Sequence, residues 1–224
     1  MRVSRVQAAE NRQTVIDVAS RLFREHGFDG IGLKDLMKGA GLTQGAFYKQ
    51  FASKEDLVAQ ASRQALASAT RRWSAAVAEH PKDPLGAVIA FYLSAGHREE
   101  KMDGCPIVAL GSDAARQGRE VKASFEAGIK AHLEILGRVI ADTGREEPNC
   151  KAMAILSTMV GAVTLSRVIN GQSGISPEMA IRLEKAGWSN ADHWLRVQAA
   201  YDLAQARRHA DDIKVKRYEP QPAP

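Results

Sequence analysis

The sequence is poor in aromatic residues, β-branched runs and cysteine, and each shortage excludes a class of protein. Only 6% of its 224 residues are aromatic, and runs of β-branched residues are rare, which favours helices over sheet. Two cysteines, Cys105 and Cys150, are too few for a disulfide framework, and no Cys/His spacing matches a metal site. The first residues lack the apolar core of a signal peptide, and no apolar run approaches the length of a membrane span. We therefore expect a helical, cytoplasmic protein without a metal.

The sequence also lacks the residue groups of an enzyme active site. Its six histidines are scattered, and neither a nucleophile with a paired base nor a glycine-rich phosphate loop accompanies them. We therefore expect no catalysis and no bound cofactor. What is present is an ordinary globular composition, with 45% hydrophobic and 25% charged residues. The formal net charge of +5 suits a polyanionic partner but does not identify one.

Apolar residues at helical spacing predict three helices near the amino terminus. Residues 8–26 repeat apolar side chains at intervals of three and four, and Gly27 can end that helix at positive φ. A short second helix follows and ends before Gly41, which makes the turn. Thr43 can cap a third helix over residues 44–50. This arrangement is typical of a helix-turn-helix, a motif that places one short helix in the DNA major groove.

The remainder of the chain is also predicted to be helical. Ser53 and Asp56 form a capping-box pattern that begins a long fourth helix, which reaches Glu79. The further predicted helices are 84–98, 105–116, 119–142 and 148–170. Within the last of these, residues 152–169 are apolar on nearly every face, so they belong either to the core or to a dimer interface.

Residues 12–61 contain the turn Ala40-Gly41-Leu42-Thr43, and the third helix carries Phe47-Tyr48-Lys49-Gln50-Phe51. With these two signatures, the stretch resembles the amino-terminal domain of the TetR family of transcriptional regulators. The alternative is a small helical hairpin that uses the same turn chemistry. The resemblance implies an all-α protein in which a three-helix DNA-binding domain is joined by a long helix to an effector-binding and dimerisation bundle.

Position within the motif assigns a role to each candidate DNA-binding residue. Gln44 can pair with adenine through two hydrogen bonds, and Gly45 permits a close approach of backbone to DNA. Tyr48 and Lys49 should reach phosphates, or a guanine edge for Lys49, and Lys54 lies at a helix start where phosphates bind. The resemblance supports phosphate contacts for Tyr48 and Lys54. The complete set is Thr43, Gln44, Gly45, Tyr48, Lys49 and Lys54.

The resemblance continues more weakly to residue 168 and implies an effector pocket in the bundle. It includes the turn Asp103-Gly104-Cys105-Pro106. Because Cys105 stands at a helix start, the helix dipole should lower its thiol pKa, and a redox sensor is one interpretation of it. For every pocket candidate, ordinary core packing is the alternative. The pocket candidates are Trp73, Phe91, Tyr92, His97, Cys105 and Phe125.

Residues 164–219 depart from the TetR pattern, and their notable features are Leu165–Gly171, Ile175–Ala180, Trp194-Leu195, Tyr201–Leu203 and the basic ending VKRYEP. With these features, the segment resembles the later part of a HigA-type antitoxin of the Xre class. We therefore expect a fused carboxy-terminal segment, which acts either as a replacement packing or dimerisation element or in DNA or toxin binding. In its first helix, Met179, Ile181 and Leu183 are candidates to face inward.

These observations combine into one prediction of organisation and function. Residues 1–53 form a DNA-binding domain, residues 54–170 a regulatory domain, and residues 171–224 the atypical carboxy-terminal segment. We expect a repressor that binds a palindromic operator as a homodimer and is released by a small-molecule effector. The alternative is an antitoxin-like protein that neutralises a toxin through its carboxy-terminal segment.

Overall fold

The computed structural model describes residues 4–141, 148–168, 177–185, 189–208, 210 and 214. All regular secondary structure within these residues is helical, which confirms the predicted all-α class. The chain forms two compact units, residues 1–168 and residues 169–224. Predicted features at residues 169–176, 186–188 and 215–219 lie outside the described residues, as does the segment 142–147.

The amino-terminal helices follow the predicted order. Ser4 caps α1 by accepting a hydrogen bond from the Gln7 amide at 3.1 Å, and Gly27 ends that helix at φ +79°. Gly41 makes the next turn at φ +69°. The Ser53 hydroxyl accepts from the Asp56 amide at 3.1 Å, which confirms the predicted cap of α4. The helices are α1 Arg5–His26, α2 Leu33–Gly39, α3 Gln44–Phe47 and α4 Lys54–Glu79.

Five helices are described in the second half of the larger unit. The expected single helix over residues 84–98 is wrong, because Leu93 ends one helix and the Ser94 hydroxyl caps the next by accepting from the His97 amide at 3.1 Å. Pro84 begins the first of them as an N1 residue. The helices are α5 Pro84–Tyr92, α6 Ala95–Glu99, α7 Pro106–Ala114, α8 Arg119–Ala141 and α9 Pro148–Val168.

Two apolar clusters hold this unit together, and α4 contributes to both. The first surrounds α1 to α3 and includes Phe23, Phe28 and Phe47, all buried. The second surrounds Trp73 and Tyr92. Because α4 spans both clusters, it links the amino-terminal helices to the bundle.

Helix α9 is apolar on both sides but buried on only one. Its window Asn149–Val168 has a mean hydropathy of 1.2, long and apolar enough to cross a bilayer, so the expectation that no run reaches this length is wrong. One stripe of the helix packs in the second cluster, as in a soluble core helix. The buried side chains are Ala152, Leu156, Met159 and Val163, and the large exposed ones are Met153, Leu165 and Val168.

The smaller unit contains two described helices, α10 Pro177–Lys185 and α11 Ala191–Arg208. In α10 the fully buried residue is Ala180, whereas Met179 and Ile181 are 48% and 47% exposed. The expectation that Met179 and Ile181 face inward is therefore wrong. Residues two positions apart point to nearly opposite sides of a helix, so Met179 and Ile181 cannot both face inward. Ala180, which lies between them, is the buried residue.

Candidate functional site

The turn and the short helix α3 form an exposed surface at the amino-terminal end of the molecule. Thr43, Gln44, Gly45, Tyr48 and Lys49 are all exposed, and the Tyr48 side chain is 69% exposed. The helix ends earlier than the predicted residue 50, at Phe47. Its path continues as turns, in which the Phe47 carbonyl accepts from the amides of Gln50 and Phe51. The five predicted contact residues of this surface therefore lie together and face solvent.

The first turn of α3 has polar groups that are not used in capping the helix. Thr43 is the N-cap residue of α3, as predicted, but its side chain makes no capping hydrogen bond. A Cβ atom on Gly45 would meet nothing within 4 Å. Packing within the protein therefore does not require glycine here, and the free space suits the approach of another molecule.

Aromatic packing fixes the far end of the recognition element. The rings of Phe47 and Phe51 stack at 5.3 Å between centroids, and the Tyr48 ring meets Phe47 edge-on at 5.3 Å. The Arg12 guanidinium lies 5.0 Å from the centre of the Phe51 ring and donates to the Gln60 side-chain oxygen at 2.6 Å. Arg12 and Gln60 are 48 positions apart, so the role of Arg12 in holding this element was missed.

Lys54 has an intramolecular partner that the sequence did not indicate. Its Nζ donates to the Ile31 carbonyl at 3.0 Å, and the side chain is half-buried. The ammonium group therefore ties the start of α4 to the loop before α2. A lysine ammonium has three donors, so this bond leaves others for a phosphate, and the predicted contact stays a prediction.

Five of the six pocket candidates surround one small cavity in the bundle. Its volume is about 10 Å³, the room of roughly one water molecule. The sixth candidate, Phe125, was wrongly grouped with them, because its ring packs 6.5 Å from Phe28 in the first apolar cluster. The cavity is lined by Ala69, Arg72, Trp73, Phe91, Tyr92, His97, Cys105 and His132.

Burial controls the protonation of the polar groups around this cavity. The Tyr92 hydroxyl donates to the Cys105 sulfur at 3.0 Å, and burial raises the pKa of both groups. The expected lowering of the Cys105 pKa is therefore wrong, since desolvation outweighs the hydrogen bonds at the helix start. Burial likewise lowers the pKa of His97 and His132, which favours their neutral forms.

A larger groove opens beside this cavity and contains none of the sequence candidates. Its volume is about 780 Å³, and it lies between α4, the start of α5 and the end of α8. The walls are mostly apolar, with one serine and one arginine. The lining residues are Ser74, Val77, Pro81, Pro84, Ile135, Arg138 and Val139. Within the described residues, no three His, Cys, Asp or Glu side chains come together as metal ligands.

Comparison with known proteins supports the helix-turn-helix assignment. The family model "Bacterial regulatory proteins, tetR family" matches residues 15–61. The HTH-type transcriptional regulator AcrR of Shigella flexneri is 41% identical over 59 residues, which span 26% of this chain and only 27% of that protein. The HTH-type transcriptional repressor NemR of Escherichia coli K12 is 22% identical over 164 residues, 68% of this chain and 82% of that protein.

Solved structures support the fold over most of the chain. The crystal structure of E. coli NemR in its reduced form aligns with a TM-score of 0.64 at 19% identity, covering 72% of this chain and 89% of that one. A TetR transcriptional regulator from Chloroflexus aurantiacus aligns with a TM-score of 0.65 at 27% identity, covering 74% and 88%. These proteins support a helix-turn-helix regulator and give no support to the antitoxin interpretation of residues 164–219.

Proposed function

Because residues 15–61 match the model of the tetR family of bacterial regulatory proteins, we propose that the chain is a regulator of that family, which represses transcription as a homodimer on a palindromic operator and is released by a small molecule. The observation that carries this proposal is the exposed surface from Thr43 to Lys49. Its side chains suit both base and phosphate contacts. The Gln44 amide can read base edges, while the Tyr48 hydroxyl and the Lys49 ammonium group can bind phosphates. Such a protein acts in the cytoplasm, where the chromosome lies.

The exposed face of α9 supports the homodimer. Residues 152–166 carry no charge, and Met153, Leu165 and Val168 are 49%, 59% and 75% exposed. An exposed apolar face of this length is costly in water, and a second copy would cover it with an identical one. Two recognition helices would then meet successive major grooves about 34 Å apart.

A ligand that binds at the closed cavity around Trp73 and Tyr92 would have to change the conformation of the bundle. About 10 Å³ admits no organic molecule, so an effector there must favour a state with the bundle helices moved apart. Trp73 belongs to α4, whose first residue Lys54 contacts the loop before α2. Movement of α4 would therefore reach the recognition element.

Selection of duplexes from a random DNA library, followed by measurement of stoichiometry, tests this function. We expect an inverted repeat to be enriched and two protomers to bind each selected duplex. Leu165→Glu should convert the dimer to monomer and weaken DNA binding at least tenfold, because it places charge in the apolar face. Lys82→Glu, which alters an exposed residue between α4 and α5, should leave both unchanged. Failure to enrich any duplex would contradict the proposal.

A further inference from the structure

Two arginines from different helices hold one short stretch of chain, residues 97–104, here called the linking segment. Arg167 near the end of α9 donates from Nε to the Arg98 carbonyl at 2.8 Å. Its Nη2 donates to the carbonyls of Glu100 at 2.9 Å and His97 at 3.2 Å. These carbonyls lie at the end of α6, where a helix leaves its acceptors without intrahelical partners. One guanidinium therefore fastens α9 to the carboxyl end of α6.

Arg24 of α1 holds the other end of the linking segment. Its Nη1 donates to the Gly104 carbonyl at 3.0 Å, and its Nη2 to the Asp103 carboxylate at 3.4 Å. The side chain is only 4% exposed, whereas Asp103 is 47% exposed. A buried guanidinium with good partners is costly to leave unpaired, so this contact is a strong constraint on the position of α1.

The two arginines approach each other at Gly104. A Cβ atom there would lie 2.1 Å from the Glu100 carbonyl oxygen and 3.1 Å from Arg167 Nη2. The glycine thus lets the segment fold back tightly enough for Arg24 and Arg167 to bind adjacent carbonyls. Because Arg24 belongs to the DNA-binding helices and Arg167 to the helix with the exposed apolar face, the segment connects these two parts directly.

We propose that Arg24 and Arg167 are positioning residues that together fix α1 relative to α9, and thereby set the separation of the two recognition helices in the dimer. This inference rests on the proposed dimerisation through α9. Because the two copies would be joined through α9, any movement of α1 relative to α9 changes the distance between the two recognition helices. The contacts of the linking segment restrict this movement, and they do so without DNA. It also carries His97 and directly precedes Cys105, so a molecule that opens the cavity would loosen the same contacts.

Distance measurements between spin labels in the full-length dimer test the proposal without DNA or effector. Lys38→Cys places a label on the exposed side of α2, and Cys150→Ser removes the exposed native thiol, while Cys105 is buried. We expect one narrow distance distribution for this background. Arg167→Met and Arg24→Met should each broaden it about twofold or split it into two populations, because α1 and α9 can then move independently.

Arg21→Met is the matched control for this experiment. Arg21 lies on the same helix as Arg24 and pairs with the same Asp103 carboxylate at 3.1 Å, but its side chain is 54% exposed. We expect its distribution to equal that of the background. Arg167→Lys, which keeps the charge but not the fork of donors, should fall between background and Arg167→Met. Helicity and thermal unfolding verify that each variant is folded, and if Arg24→Met is not, Asp103→Asn replaces it.

The outcomes separate this inference from the proposed function. A folded dimer whose distribution stays narrow in Arg167→Met overturns the positioning role while leaving the dimer intact. If no interaction between two labels is detected, the protein is a monomer, and that result overturns both the positioning role and the proposed homodimer. Broadening in the arginine variants but not in Arg21→Met supports the proposal, since a loss of stability alone does not change the distances within molecules that remain folded.

Discussion

The Tyr92 hydroxyl donates a hydrogen bond to the Cys105 sulfur at 3.0 Å, and both side chains are buried in the bundle. Cys105 is 3% exposed, and burial raises the pKa of its thiol. A thiol reacts as the thiolate, so burial protects Cys105 twice, by excluding the reagent and by keeping the proton. Cys150 on α9 is exposed.

We therefore predict that Cys105 does not react in the native protein. Titration with an aromatic disulfide reagent near pH 8 should modify at most one cysteine per chain, and both only after denaturation. Cys150→Ser is the matched control and should show no fast phase. A fast phase that persists in Cys150→Ser would mean that Cys105 is accessible, and would restore the redox-sensor interpretation.

Stability should fall as the pH drops below about 6.5. Burial lowers the pKa of His97 and His132 in the folded protein, whereas both regain ordinary values near 6.5 on unfolding. The unfolded state therefore binds more protons in this range, and the free energy of unfolding decreases until the pH passes below the lowered values. Denaturant titrations from pH 7.5 to pH 5 measure the slope.

His132→Gln should make that slope shallower, because it removes one buried imidazole. The His132 ring meets Trp73 edge-on at 4.5 Å, and its Nδ1 lies 2.7 Å from the Gly128 carbonyl. His26→Gln, which alters a histidine with a 44% exposed side chain, serves as the control. An unchanged slope in His132→Gln would show that this histidine is not the titrating group.

The crossing of α4 and α8 depends on Gly128. A Cβ atom there would lie 2.8 Å from three side-chain carbons of Leu66, which is 2% exposed and has no room to move. We predict that Gly128→Ala lowers the free energy of unfolding by about 1–3 kcal/mol through overpacking. Denaturant unfolding measures the change.

Gly137→Ala provides the comparison on the same helix. A Cβ atom at Gly137 would meet nothing within 4 Å, so only the helix preference of alanine acts, and stability should rise by about 0.5–1 kcal/mol. Equal effects of the two substitutions would contradict the close α4–α8 contact.

The sequence predicted the features that depend on local chemistry. The cap at Ser53, the positive φ of Gly27 and the turn at Gly41 each follow from neighbours within one turn. The exposed positions of α3 followed for the same reason, since helix period decides which side faces outward.

Features that depend on distant contacts were missed. Nothing local signals that Arg24 binds Gly104, 80 positions away, or that Arg12 reaches Gln60. The pKa of Cys105 was expected to fall because only the helix start is visible in the sequence, while burial by other helices decides the outcome. Phe125 was assigned to the pocket because periodicity shows that a side chain faces inward but not which of two apolar clusters it enters.

The salt dependence of DNA binding tests the central claim, that the surface from Thr43 to Lys49 binds a duplex. Dissociation constants for a selected duplex should be measured across salt concentrations for wild type, Lys49→Ala and Lys130→Ala, the last altering an exposed lysine of α8. We predict that Lys49→Ala lowers the slope of log affinity against log salt by about one unit with unchanged helicity, and that Lys130→Ala matches wild type. A folded Lys49→Ala protein with the wild-type slope and affinity would contradict the account.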